Sequence, residues 1–240
     1  MSAHTETPLP WALKAVSRML AYPEADLQAA TGDLARAVVP RPELNSEERS
    51  AVRRFLDGLG EEDLLDLQAA YVETFDRSKK VSLYLFEHVY GESRDRGPAM
   101  VELKEAYREA GLEIACGELP DYLPMFLEFC AELGEGGARD WLEETGPILQ
   151  QLHVRLVERD SRYAVPLRLL LRLAELDPAP EELVRAAEAE ERDDTPEAHD
   201  RAWMEAPVTF GPDQPAGGGG QAQPVQWVDR DRAAGQTGRS

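Results

Sequence analysis

Cysteine is scarce in this 240-residue chain: there are two, Cys116 and Cys130. They form no C-x-x-C pair, and two thiols cannot complete a tetrahedral zinc site without other ligands. The four histidines, His4, His88, His153 and His199, are scattered and build no H-E-x-x-H. No metal or other cofactor is therefore expected, and the cysteines read as buried, reduced thiols of a cytosolic protein. Basic residues are also in short supply, 26 against 46 acidic, for a formal net charge of −20. Such a surface repels phosphate backbones, so nucleic acid is not an expected direct partner, whereas a basic partner is attracted during encounter. The same charge also serves solubility alone. Long apolar runs are missing, so no membrane insertion is expected. The opening MSAHTETPLPWALKAVSRML has no basic region leading into an uninterrupted apolar one and does not read as a signal peptide. The phosphate loop G-x-x-x-x-G-K-S/T, the G-x-S-x-G elbow and a G-x-G-x-x-G after a strand are all lacking, so nothing points to a catalyst.

What the chain does have is helical periodicity. Leu9, Leu13, Val16 and Leu20 line one helix face, and YPEADL breaks the chain before a second helix. NSEE at 45–48 supplies N-cap chemistry for a third. Leu64, Leu67, Tyr71 and Phe75 make another stripe, with Leu65 and Val72 widening it. Met100, Leu103, Tyr107 and Ala110 form the next, with Pro98 in its first turn and Gly111 at its end. Ile148, Leu149, Leu152 and Leu156 mark a helix after Gly146-Pro147; Val165, Leu169, Leu173 and Leu176 mark a further one. VSLYLFEHVYG is ambiguous, but with no strong strand to pair with, it reads as a helix ending at Gly91. The expected fold is all-α, a single multi-helix bundle over residues 1–176. Residues 177–206, acidic and alanine-rich, read as a helical extension, and the glycine-rich 207–240 as a flexible tail in which Trp227 and Val228 are the apolar exceptions.

GELPDYLPMFLEF, residues 117–129, sets greasy side chains beside fixed carboxylates. Asp121 reads as the N-cap of a helix that tolerates Pro124 in its first turn. Leu123, Phe126, Leu127, Cys130 and Leu133 then share one face, and Tyr122, Met125 and Phe129 form a second stripe beside it. A helix apolar around most of its circumference is either central to the bundle or shares one stripe with a partner.

The run YVETFDRSKKVSLYLFEHVYGESRDRGPAMVELKEAYREAGL, followed by ELPDYLPMFLEF, resembles the NarJ-type assembly chaperones of respiratory nitrate reductase. These belong to the wider all-helical family of molybdoenzyme maturation chaperones that includes the TorD and DmsD types. The likeness runs from the first helix to about Leu176 and returns in WMEAPVTFG. LFEHVYGESRDRG is its specific part, and Tyr90 departs from the second histidine of many relatives.

The resemblance implies a dedicated chaperone rather than a catalyst. It would bind the apo catalytic subunit of nitrate reductase, chiefly at its N-terminal segment, in the cytoplasm while iron–sulfur and molybdenum cofactors are inserted. A chaperone for another molybdoenzyme and a general helical adaptor are the alternatives. A short, basic, amphipathic client segment suits a helix-in-groove mode, with apolar anchors inside and basic residues meeting carboxylates at the rim. On this reading Tyr122, Met125 and Phe129 offer adaptable contact surface, and Glu118, Asp121 and Glu128 set orientation. Glu87, His88 and Tyr90 contribute from the neighbouring segment, with Tyr71 and Phe75 behind. Tyr71 and Phe75 equally suit the core, and His88 is either a structural histidine or a group titrating near neutral pH.

Overall fold

Leu9, Leu13, Val16 and Leu20 are all buried, and they make the first helix the hub of the molecule. The structure, a computed structural model, describes residues 7–91, 93–114, 117–193, 195 and 200. Among these it has ten helices and no strand. They are α1 (Leu9–Leu20), α2 (Ala25–Val38), α3 (Ser46–Glu61), α4 (Leu64–Phe75), α5 (Leu85–Tyr90), α6 (Arg96–Glu109), α7 (Leu123–Glu132), α8 (Gly134–Glu158), α9 (Ala164–Leu173) and α10 (Glu181–Glu188). A single 3-10 turn, Lys79–Val81, precedes α5. The all-α class read from periodicity is the fold observed. Helix α1 packs along α7 and also touches α2, α8 and α9; α3 closes on α2 and α9. Each leucine removed from water at this hub stabilises the fold by roughly 1.5–3 kcal/mol. No described helix is long and apolar enough to cross a membrane.

Local chemistry sets the helix ends. Asn45 and Glu48 form a reciprocal capping box at α3: the Asn45 side chain accepts from the Glu48 N–H at 2.9 Å, and the Glu48 carboxylate accepts from the Asn45 N–H at 3.0 Å. At the end of α6, Gly111 takes φ +80°. The Leu112 N–H then reaches the Tyr107 carbonyl at 2.9 Å and the Gly111 N–H reaches the Arg108 carbonyl at 3.0 Å, which satisfies two terminal carbonyls.

Four expectations are corrected. The apolar pattern places Leu65 and Val72 on the buried stripe of α4, but they are 74% and 38% exposed. They sit about 100° from Leu64 and Tyr71 around the helix, past the face that meets the core. Gly146-Pro147 is expected to precede a helix; instead α8 runs unbroken through it for 25 residues. Proline normally clashes with the Cβ of the residue before it, and Gly146 has none. Gly146 is also where Leu176 crosses, with its Cδ1 2.8 Å from where a Cβ would stand. The helix ending at Gly91 exists but starts only at Leu85. Before it the chain is extended and makes a two-bond antiparallel bridge: the Leu123 N–H donates to the Leu83 carbonyl at 2.8 Å and the Leu85 N–H to the Asp121 carbonyl at 2.9 Å. Asp121, fourth, does not cap its own helix: Tyr122 is the N-cap of α7 and makes no side-chain cap bond.

Beyond Leu176 the chain stays on the core. Asp177 and Pro178 give their carbonyls to Gln150 Nε2 (2.9 Å) and His153 Nδ1 (2.6 Å). Helix α10 buries no residue fully, but Glu190 behind it takes a two-nitrogen grip from Arg155 at 2.8 and 2.9 Å. The described residues all fall within one compact unit. Cys116, His4, His199, the WMEAPVTFG element, the 207–240 tail and Trp227 with Val228 lie outside the described residues.

Candidate functional site

A groove of about 700 Å³ runs between α1 and α7, closed at one side by Tyr107 near the end of α6 and by Leu112, Glu113, Ile114 and Glu118. Its floor is apolar. Phe129 is buried and stacks on Tyr107 with ring centroids 4.4 Å apart and an interplanar angle of 27°. Met125 and Tyr122 are half-buried beside it, and Leu112 and Ile114 face them from the other wall. The rim is charged: Glu113, Glu118, Glu128 and Glu132 oppose Lys14 and Arg18. Both cations are engaged, Lys14 with Glu132 at 2.6 Å and Arg18 with Asp26 at 2.8 Å.

Helical spacing explains this wall. Tyr122, Met125 and Phe129 fall three and four apart, so one stripe of α7 faces the groove while Leu123, Phe126, Leu127 and Cys130 fill the core. The small Ser17 of α1 lets α7 approach; its hydroxyl donates to the Pro124 carbonyl at 2.8 Å and lies 3.3 Å from Glu128. Tyr122 is pinned from both sides. Its hydroxyl meets that of Tyr71 at 2.9 Å, and its ring lies 5.5 Å from Tyr84. The Tyr84 hydroxyl donates to Glu118 at 3.2 Å, and burial, followed by that carboxylate, pushes the phenol up to about 12. Both tyrosines keep their protons at neutral pH and serve the site as donors.

Of the residues singled out in the sequence, Glu118, Tyr122, Met125, Glu128 and Phe129 line this groove. The others do not. Asp121 is completely buried, so it cannot stand at a rim. Its carboxylate accepts from the Phe86 N–H at 3.0 Å, at the start of α5, and lies 3.7 Å from Arg96. Its second oxygen has no hydrogen-bond partner, and burial raises its pKa from the ordinary aspartate value. Glu87 joins the same cluster through Arg96 at 3.5 Å. His88 points its Nε2 at the Ser82 carbonyl, 2.8 Å away, so that nitrogen carries the hydrogen. Burial, with Arg155 nearby, lowers its pKa below the ordinary histidine value, which favours the structural-histidine alternative over the titrating one. Tyr90 packs edge-on against Phe86 at 5.4 Å. Tyr71 and Phe75 are buried among Tyr163 and each other, which is the core alternative.

The sequence reading missed the α1 wall, Lys14, Ser17 and Arg18, together with Glu113, Ile114 and Glu132. One signal was available: Ser17, next to Val16 in a helix of buried aliphatics, is a polar residue on a buried face. Among the described residues no cluster of histidine, cysteine and carboxylate side chains could hold a metal ion.

Comparison with known proteins places the fold first. The crystal structure of a protein described as a redox enzyme maturation protein, from Archaeoglobus fulgidus, has a similar fold. It superimposes with a TM-score of 0.50 at 23% identity, over 73% of this chain and 96% of that one. The family follows from sequence: the model of the nitrate reductase delta subunit family matches residues 41–168, and the chain belongs to that family. It is 44% identical to the nitrate reductase molybdenum cofactor assembly chaperone NarJ of Escherichia coli K12, over 84% of this chain and 86% of that protein. It is 38% identical to NarW of the same strain, over 82% and 83%. These relatives are named as assembly chaperones and not as enzymes.

Proposed function

We propose that this chain is an assembly chaperone of respiratory nitrate reductase. It holds the apo catalytic subunit competent for iron–sulfur and molybdenum cofactor insertion, in the cytoplasm, by taking that subunit's N-terminal segment into the groove between α1 and α7. The names of its relatives support the chaperone role. The groove itself carries the rest of the reading: an apolar floor of Met125, Tyr122 and Phe129 under a rim with four glutamates.

A helix about 10 Å across displaces roughly 420 Å³ per turn. A cleft of 700 Å³ therefore takes the apolar half of about three turns, enough for anchors at i, i+3/i+4 and i+7. Met125 supplies an adaptable, polarisable surface for such anchors. The rim carboxylates attract basic residues of the client and raise the encounter rate, while moderate apolar burial leaves an off-rate that permits hand-over.

Isothermal titration calorimetry of the full chain with the client's N-terminal peptide tests this. Affinity is expected to fall as ionic strength rises, and Met125→Glu and Glu128→Lys should each weaken binding about tenfold or more. Both positions lie at the groove surface, so the variants should keep the wild-type helical signal. Unchanged affinity in the folded variants would place the client elsewhere. Asp121 and Phe129 are unsuitable for this purpose, because both are buried and their loss would unsettle the core.

A further inference from the structure

Helix α1 is almost wholly enclosed. Eight of its twelve residues are buried, and the other four, Pro10, Trp11, Lys14 and Arg18, lie on one side of it. Lys14 and Arg18 line the groove. Trp11 stands one turn before Lys14 in the same row, outside the groove lining, and is 62% exposed. A lone exposed aromatic is ordinary on a protein surface. This one ends a row whose other members already form a wall.

The packing of α1 on α7 is antiparallel: Ser17 meets Pro124 and Lys14 meets Glu132. Trp11 therefore lies at the Glu132 end of the groove. The Lys14 ammonium sits 5.6 Å from the centre of the Trp11 ring and 2.6 Å from the Glu132 carboxylate. It tethers the indole at the groove mouth, so a partner finds the ring already in place. Without Trp11 the two walls are unequal. Tyr122 to Glu132 covers about 15 Å of α7, while Lys14 to Ala21 covers about 10 Å of α1. Counting from Trp11 brings the α1 wall to about 15 Å, close to three turns of a bound helix.

We infer that the client helix runs past the groove onto Trp11 and sets an apolar side chain against its indole. This rests on the reading of the groove as the client's seat. Tryptophan is a side chain on which interface energy concentrates, because it offers a large apolar face at little cost in conformational freedom. The occupant is a basic amphipathic helix of about three turns. Its charge follows from a full count at the groove: the four rim glutamates and Asp26 stand against Lys14 and Arg18. A second copy of this chain, with its own net charge of −20, is repelled by the same rim.

The test is calorimetric titration of the full chain with a synthetic peptide of the catalytic subunit's N-terminal segment. The same peptide shortened by four residues, at one end or the other, is titrated beside it. Trp11→Ala should weaken binding of the whole peptide about tenfold, and Trp11→Phe should restore most of it. One of the shortened peptides should bind wild type and Trp11→Ala alike, because the anchor that meets the indole is gone. Tryptophan emission of the wild type should shift to the blue on saturation, and the shift should shrink in Trp11→Phe. Met125→Glu, titrated in parallel, separates this inference from the reading beneath it. Weakening at Met125 with none at Trp11 overturns the inference and leaves the groove standing. A Trp11→Ala loss that both shortened peptides keep in full also overturns it. No peptide binding, or none lost at Met125, overturns both.

Discussion

Tyr71 and Tyr122 meet hydroxyl to hydroxyl at 2.9 Å, one from the aromatic core and one from the groove. The Tyr71 proton is committed to the Leu20 carbonyl at 3.1 Å, so Tyr122 is the donor in the pair. Leu20 ends α1, where helix carbonyls have no partner in the helix itself. Tyr122→Phe removes one donor and should cost about 1 kcal/mol of stability. Tyr71→Phe strands the Leu20 carbonyl and the Tyr122 hydroxyl together and should cost more, about 1–3 kcal/mol. The double variant should cost less than the sum, since the bond is lost only once. Urea unfolding of the four proteins measures the coupling, and strict additivity would show that the pair carries none.

Asp121 is buried to hold α5 in place, and its charge is a burden there. Asp121→Asn keeps an acceptor for the Phe86 N–H and removes the charge; stability at pH 7 should change by less than about 1 kcal/mol. Asp121→Ala leaves that N–H unpaired and should cost about 1–3 kcal/mol. The folded carboxyl has a raised pKa, so the folded state binds the proton more tightly than the unfolded chain. The charge penalty is full above the folded pKa and is relieved as pH falls through it, a relief that the Asn variant should lack. Urea midpoints of the three proteins across the acid range separate these outcomes.

His153 works in the opposite sense. It is fully buried; its Nδ1–H donates to the Pro178 carbonyl at 2.6 Å, and its Nε2 faces the Arg168 Nε donor at 3.4 Å. Burial, with Arg168 and Arg172 adding to it, lowers its pKa to about 4. The unfolded chain then takes up the proton first, from about pH 6.5. Stability is complete above that pH and is lost as pH falls toward 4, by about 3 kcal/mol. Denaturation midpoints at pH 7, 5.5 and 4.5 should fall in that order, and His153→Gln should flatten the trend while lowering stability at pH 7.

The parts of this fold legible in the sequence are those that depend on near neighbours. The Leu9–Leu13–Val16–Leu20 stripe, the Asn45–Glu48 cap and the Gly111 stop each need only the next four residues to be understood. The stripe of Tyr122, Met125 and Phe129 was legible in the same way, because α7 is apolar on more faces than one. What stayed hidden depends on distant partners. Asp121 looks like a cap for the helix that follows it, but its acceptor geometry serves Phe86, thirty-five residues away. Pro147 looks like a helix start, but a glycine before it and Leu176 crossing there let α8 continue. The opposite wall of the groove, Lys14 and Arg18, is an ordinary polar face until α7 is laid beside it.

The bridge between Leu83–Leu85 and Asp121–Leu123 brings together two points of the backbone more than thirty-five residues apart. The described residues between them, α5 and α6 included, start and end at a single pair of adjacent doorposts. Leu85, Leu103 and Tyr107 anchor this stretch in the core, while positions such as Val89, Val101 and Glu113 stay exposed. It is a cassette, and it borders the groove through Tyr107, Leu112 and Ile114. A substitution at the exposed Glu113 therefore reshapes one lip of the cleft and leaves the helices beneath untouched.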